Sequence, residues 1–521
     1  MNTIAAQAIG GRYRLLDQLG QGGMGIVYRA YDRLAHQHIA LKQVKAPPEK
    51  LRLNSLRSDP LLALAQEFRL LASLRHPHIV AVLDYGFDAH QLPYYTMELL
   101  EAAQTITAYG RTLAADGKTR LLIEMLQALV YLHRRGVIHC DLKPANVLVA
   151  QDGKVRVMDF GLALQPSTSE SANSQVFGTI AYMAPELFTE SPASRASDLY
   201  AVGVLLYELF AGKHPYSADN PAITLYNLMN RPIDLELLPP RLVGLAARLL
   251  QKTPAYRPQY AEEVIAELCQ AMDISYPAES LTVRESFLQA SAFVGREREL
   301  ATLTEVLNTT LHGDCDFWLV GGESGVGKSR LVDELRTQAL VSGALVLRGQ
   351  GITEGGRPYQ LWWEIARRLL LETPLTDFEA GVLKPLVPDI SSLLGHDVPD
   401  LPELAGAAGQ QRLASTLVAV LKRLPTPLVL LLEDLQWADE SLFPLRQILM
   451  VRDQLKHLLV IGTYRDDERP GLPQELEGMQ VLKLRRLNAK AIEQLTRVML
   501  GDTREPSEVV ELLRRETEGN V

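Results

Sequence analysis

His139-Cys140-Asp141-Leu142-Lys143-Pro144-Ala145-Asn146 is the stretch on which the reading of the first half turns. It sets a carboxylate, an ammonium and a carboxamide close together in the chain. Downstream stand Asp159-Phe160-Gly161 and then Ala184-Pro185-Glu186. Upstream, Gly20, Gly22 and Gly25 form G-x-G-x-x-G with Val27 just beyond, Lys42 ends the strand-like run Ile39-Ala40-Leu41, and Glu67 lies in a helical pattern. Glycine lets backbone N–H groups approach triphosphate oxygens with no side chain between them, although a hairpin turn is the plainer reading of that motif alone. Lys42 and Glu67 add an ammonium and a carboxylate able to hold it against phosphates.

In this order the motifs are those of the protein kinases, and from about Tyr13 to Met272 the chain resembles a bacterial serine/threonine protein kinase of the eukaryotic type. The resemblance implies an α+β bilobal fold and ATP as phosphate donor. It casts Asp141 as the group that orients and deprotonates the acceptor hydroxyl and Lys143 as the one that steadies the transferring phosphoryl. Asn146 and Asp159 would ligate magnesium, with manganese as a substitute, and Lys42, paired with Glu67, would grip the α and β phosphates. Met97 would stand at the back of the adenine pocket, with the backbone from Glu98 to Leu100 bonding adenine. Asp198 is expected to brace the catalytic loop and Arg257 to pair with Glu186.

Lys143 and Thr179, in Gly178-Thr179-Ile180-Ala181-Tyr182, resemble the serine/threonine branch, so the expected partners are proteins presenting Ser or Thr hydroxyls. By the same resemblance the Thr179 hydroxyl bonds near Asp141 and Lys143. Cys140 departs from the pattern, standing where many kinases place an arginine that binds a loop phosphate. A neutral thiol cannot neutralise such a dianion, so phosphorylation of Ser167 to Ser174 is expected to be dispensable. Cys140 itself is read as a packed, inert thiol rather than a redox sensor. His76 and His78 are read as packing residues, not metal ligands.

The second half carries Gly322-Glu323-Ser324-Gly325-Val326-Gly327-Lys328-Ser329 after the apolar run Phe317 to Val320. Its pattern is that of a phosphate loop: Gly322, Gly325 and Gly327 shape the backbone, Lys328 reaches the β and γ phosphates, and Ser329 ligates magnesium at a helix start. Leu428 to Leu432 runs into Glu433-Asp434, and Arg465 follows the run Leu458 to Thr463, where it could sense a γ phosphate. Alternating strand and helix predicts an α/β fold with a parallel sheet. From Phe293-Val294-Gly295-Arg296-Glu297 onward the chain resembles the ATPase module of the AAA-related STAND regulators. That resemblance places the Walker B acid at Glu433 or Asp434 and leaves open both which of them holds magnesium and whether ATP is hydrolysed or only switches the domain.

The expected division is an extension over 1–12, a kinase domain over 13–272, a linker over 273–290 and a P-loop ATPase domain over 291–521. The end at Glu518-Gly519-Asn520-Val521, where relatives often have Gly-Asn-Pro, implies a truncated domain or lost sensing repeats. With 521 residues, 47% of them hydrophobic, the chain is long enough for two or three cores. A formal charge of -9, from 53 Lys and Arg against 62 Asp and Glu, calls for neither nucleic acid nor an acidic membrane. No apolar run approaches a membrane span, no signal sequence is visible, and three scattered cysteines suggest reduced thiols in the cytoplasm. The expected function is a serine/threonine kinase whose ATPase half regulates it or drives self-association, each half using its own phosphate site. The alternatives are a nucleotide-switched scaffold with a weak kinase domain and a transcription regulator.

Overall fold

β4 (Gln37–Val44) buries both of its faces, and each feeds a different core. Ile39 and Leu41 pack with Ile9, Tyr13, Leu15, Ala30 and Tyr94, whereas Ala40 and Val44 pack with Leu64, Phe68 and Leu71 of the helix α1 (Pro60–Ala72). Because side chains alternate along a strand, Lys42 shares the second face and points toward α1. In this computed structural model, which describes residues 8–21, 25–44, 60–72, 74–160, 180–189, 191–216, 220–275, 293–353, 357–402, 406–500, 510–512, 515, 517 and 520, β4 lies inside a six-stranded sheet. The other strands are β1 (Ala8–Ile9), β2 (Tyr13–Gln21), β3 (Gly25–Asp32), β5 (Val82–Phe87) and β6 (Pro93–Glu98), in the antiparallel order β1-β2-β3-β4-β6-β5.

Two of these strands correct the sequence reading, which runs helical from Leu61 onward. In β6 every residue from Pro93 to Met97 is buried, so the strand lacks the period-two alternation that would have marked it. Beneath the sheet, α2 (Ala115–Arg134) and α3 (Arg195–Ala211) form the centre of a helical lobe. α3 is buried from Ala196 to Tyr207, starts in a capping box made by Ser194 and Ser197, and ends at Gly212 with φ 76°. α4 (Pro221–Asn230), α5 (Pro240–Leu249) and α6 (Ala261–Met272) complete the lobe. A small sheet of β7 (Gln104–Thr105), β8 (Val147–Val149) and β9 (Val155–Val157) carries the segment between Asp141 and Asp159.

The second half is a parallel sheet in the order β11-β12-β13-β10-β14: β10 (Cys315–Gly321), β11 (Leu345–Gln350), β12 (Leu428–Glu433), β13 (Leu458–Tyr464) and β14 (Gln480–Lys483). The sequence reading omits β14, an edge strand with little burial. β12 and β13 are buried along their whole length, as sheets covered on both faces require. On one face Val429, Leu431, Leu459 and Ile461 meet α7 (Glu297–Leu311) and α8 (Lys328–Val341). On the other, Leu430, Leu432 and Val460 meet α9 (Trp363–Glu372), among others. The carboxyl ends of β10, β12 and β13 therefore come side by side, where such sheets bind ligands. Among the described residues no helix is long and apolar enough to cross a membrane.

Candidate active sites

Lys42 and Glu67 meet in the first half. The Lys42 Nζ donates to both Glu67 carboxylate oxygens, at 3.0 and 3.1 Å, and to Asp159 Oδ1 at 2.9 Å. Lys42 is 7% and Glu67 2% exposed. Burial alone would lower the lysine's pKa, but Tyr95, Asp159 and Glu67 outweigh it and hold it well above its ordinary value. Tyr95, which sequence reasoning missed, also donates its hydroxyl to Glu67 at 3.1 Å. Val27 faces Lys42 across the β3–β4 ladder and Gly20 across the β2–β3 ladder. Gly25 is required by close packing, since a Cβ there would lie 2.2 Å from the carbonyl oxygen of Gln43. Gly22 and Thr179 lie outside the described residues.

Asp141 sits opposite this pair on the lower lobe. It accepts from Lys143 Nζ at 3.0 and 2.7 Å and from Asn146 Nδ2 at 2.9 Å, while the same Nδ2 bonds the Asp141 carbonyl at 2.8 Å. The loop is held from below by Asp198, which accepts from the amides of His139 at 2.9 Å and Cys140 at 3.0 Å. His133, also missed in the sequence, completes the set with a 2.8 Å bond to Asp198. Arg257 pairs with Glu186 through two bonds of 2.7 Å. Met97 is buried on β6, and the amide of Glu98, at the end of that strand, donates to the Ala81 carbonyl. His76 is buried against the Tyr131 ring.

Cys140 has φ 66°, and burial together with Asp198 and Asp141 pushes its thiol up to about 12. The thiol is neutral throughout the physiological range, and its reactivity should rise only as the pH approaches that value. In the folded chain at pH 8 we expect Cys140 to react with iodoacetamide about a hundred-fold more slowly than in the urea-unfolded chain. Peptide mass spectrometry over a time course checks this, and comparable rates would make Cys140 a reactive thiol after all.

In the second half, Gly325 and Gly327 take φ of 79° and 97°, which lets the loop after Gly322 curl into the start of α8. Lys328 Nζ donates to the carbonyls of Gly322 at 2.7 Å and Glu323 at 2.8 Å, and Ser329 follows it on the first turn. Burial, then Arg465, lowers the Lys328 pKa against the pull of Asp434, Asp467 and Asp466. Arg465 stands over the Trp437 ring and bonds Glu468 at 2.6 Å. Arg296 anchors the loop through the Val326 carbonyl at 3.0 Å. The two candidate Walker B acids differ. Glu433 is buried and paired with Arg348 of β11, and burial raises its pKa despite that partner. Asp434, with φ 54°, is oriented by Gln350 at 3.1 Å and by its own amide bonding Thr463 at 3.1 Å.

Both sites suit magnesium by donor type. Asn146 and Asp159 carry an amide and a carboxylate oxygen, and the two residues touch, Asn146 Nδ2 lying 3.4 Å from the Asp159 main-chain carbonyl. Among the described residues no three His, Cys, Asp or Glu side chains gather as a metal cage, and a cation bound chiefly through nucleotide phosphates and water needs none.

The sequence matches the protein kinase domain family over residues 13–273, half of the chain. The chain belongs to the protein kinase family. Residues 292–461 match the AAA ATPase domain family, so a kinase domain is followed by an ATPase domain, and both families use ATP. A probable serine/threonine-protein kinase of Streptomyces coelicolor is 35% identical over 281 residues, 51% of this chain and 40% of the relative. The serine/threonine-protein kinase PknB of Mycobacterium leprae is 33% identical over 49% of this chain and 42% of its own length. The DNA damage-responsive serine/threonine-protein kinase RqkA of Deinococcus radiodurans is 38% identical over 48% and 38%. The chain thus spans less than half the length of these relatives.

Proposed function

We propose that this chain transfers the γ phosphate of ATP to Ser and Thr hydroxyls of proteins, and that its ATPase domain is a nucleotide-binding module that regulates the transfer. The observation that carries the reading is the junction of Lys42, Glu67 and Asp159 facing the Asp141, Lys143 and Asn146 cluster. Phosphoryl transfer demands alignment and charge neutralisation more than covalent chemistry. Lys42 holds two phosphates, Asp141 takes the acceptor proton, and Lys143 carries charge beside it. Asn146 and Asp159 would hold magnesium, or manganese, which neutralises phosphate charge when bound. In the ATPase domain Ser329 would do so together with Asp434, because Glu433 is already engaged by Arg348. The proposed setting is the cytoplasm, where ATP is supplied.

The test is transfer of label from γ-labelled ATP by the full chain to a generic protein, followed by phosphoamino-acid analysis. Label on Ser or Thr is the expected result. Absence of transfer with magnesium and manganese both supplied would sink the proposal.

A further inference from the structure

The helix that begins at the phosphate loop of the ATPase domain ends inside the core of the kinase domain. α8 starts with Lys328 and Ser329 and, about 20 Å further along, delivers Leu340 and Val341 to the apolar cluster that contains Leu64, Phe68 and Leu71 of α1. α8 lies directly against α1 and β5. Its Arg336 comes within 3.9 Å of Asp84 on β5, which also takes Arg12 at 2.8 Å and the Tyr13 hydroxyl at 3.0 Å. A second seam fixes the orientation: Arg367 of α9 bonds the Leu34 carbonyl at 3.0 Å, and His36 meets Asp389 at 3.3 Å. Leu34, in turn, belongs to the apolar cluster of the ATPase domain. Each domain thus buries a leucine of the other.

α1 is the element that carries Glu67, the partner of Lys42. We infer that α8 links the two nucleotide sites: docked on α1 it holds Glu67 at Lys42, and nucleotide at the Lys328 loop, by fixing the start of α8, strengthens phosphate transfer at Asp141. A packed helix moves as a unit, so a displacement at its first turn reaches Leu340 rather than fading along the way. Linkage makes the effect reciprocal in binding, each nucleotide tightening the other. The two phosphate sites, expected from sequence to act separately, then work as one device. This inference rests on the kinase reading above.

The test is a mutant cycle in the full chain, with Lys328→Ala to empty the ATPase site and Leu340→Asp to break the docking. Arg336→Glu, a change at a partly buried charge that sets a carboxylate against Asp84, serves if Leu340→Asp loses its fold by circular dichroism. Lys328→Ala is expected to lower kcat/KM for ATP at least about five-fold. Leu340→Asp or Arg336→Glu should lower it similarly, and adding Lys328→Ala to either should cost almost nothing more. An unchanged rate in Lys328→Ala, or an equal loss with docking intact and broken, would overturn the inference. If the wild-type chain transfers no phosphate, the kinase reading has failed on its own. The linkage is then read from ATP affinity at the Lys42 site by calorimetry in the same chains, where the same non-additivity is required.

Discussion

Asp141→Asn is expected to lower kcat for phosphate transfer by about a thousand-fold while leaving the KM for ATP nearly unchanged. Asparagine matches aspartate in size and can still accept one of the bonds from Lys143 and Asn146, so the loop braced by Asp198 should keep its shape. What disappears is the group proposed to receive the acceptor's proton and the negative charge that holds Lys143. On the proposed mechanism ATP is held by Lys42, Glu67 and Asp159, whose mutual bonds the substitution leaves unaltered. Initial rates against ATP concentration separate the two effects, and a thermal melt within a few degrees of wild type excludes misfolding. A loss smaller than ten-fold would remove Asp141 from the chemistry. Lys42→Met should match it in severity but differ in kind, raising the KM for ATP as well.

The second large effect is on stability. Arg257 has a fully buried side chain and uses every guanidinium N–H: two bond Glu186, and the others reach the carbonyls of Ala196, Lys252 and Gln251. Removing one partner of such a pair strands the other charge in a dry site, and Arg257→Ala is expected to cost about 3–5 kcal/mol in urea unfolding. Arg257→Lys should recover only part, because an ammonium lacks the planar fork that matches a carboxylate. The pH dependence gives a second check. Burial would raise the Glu186 pKa, but Arg257 overcomes it and holds the carboxyl below its ordinary 4.5. The stability this supplies is present above that ordinary value and is lost as pH falls through the lower folded value. In Arg257→Ala the stranded carboxyl prefers its proton, so the deficit relative to wild type should begin to shrink above pH 4.5 and go on shrinking as the pH falls through the lower wild-type value. A pH-independent deficit, or one under about 1 kcal/mol, would show that the pair does not brace the lobe.

Much of the kinase site was legible because its chemistry is written in short runs. Asp141, Lys143 and Asn146 lie on one loop, and Gly25, Gly325 and Gly327 stand where the backbone crowds a neighbour or turns. Residues that act across the fold left no such mark. Tyr95 sits in a run buried on both faces, His133 ends a helix whose pattern is that of core packing, and Arg348 is one of many charged residues near a strand end. Each matters only because the fold carries it to Glu67, Asp198 or Glu433. The same reason hid β6, since a strand buried on both sides gives no alternation to read.

By itself the sequence determined the two domain types, the order of their motifs and the residue types at each phosphate site, since backbone N–H groups, lysines and carboxylates at fixed spacing are a local requirement of binding a polyphosphate. Only the tertiary structure decided which carboxylate meets which cation. Local spacing could not distinguish Glu433 from Asp434, but the pairing of β11 with β12 brings Arg348 to the first and leaves the second to act on Lys328 electrostatically. Nor could it show that the helix beginning at Lys328 ends against the helix bearing Glu67. Contacts between segments hundreds of residues apart are fixed by the burial of apolar surface from both domains at once, and that surface exists only after each has folded.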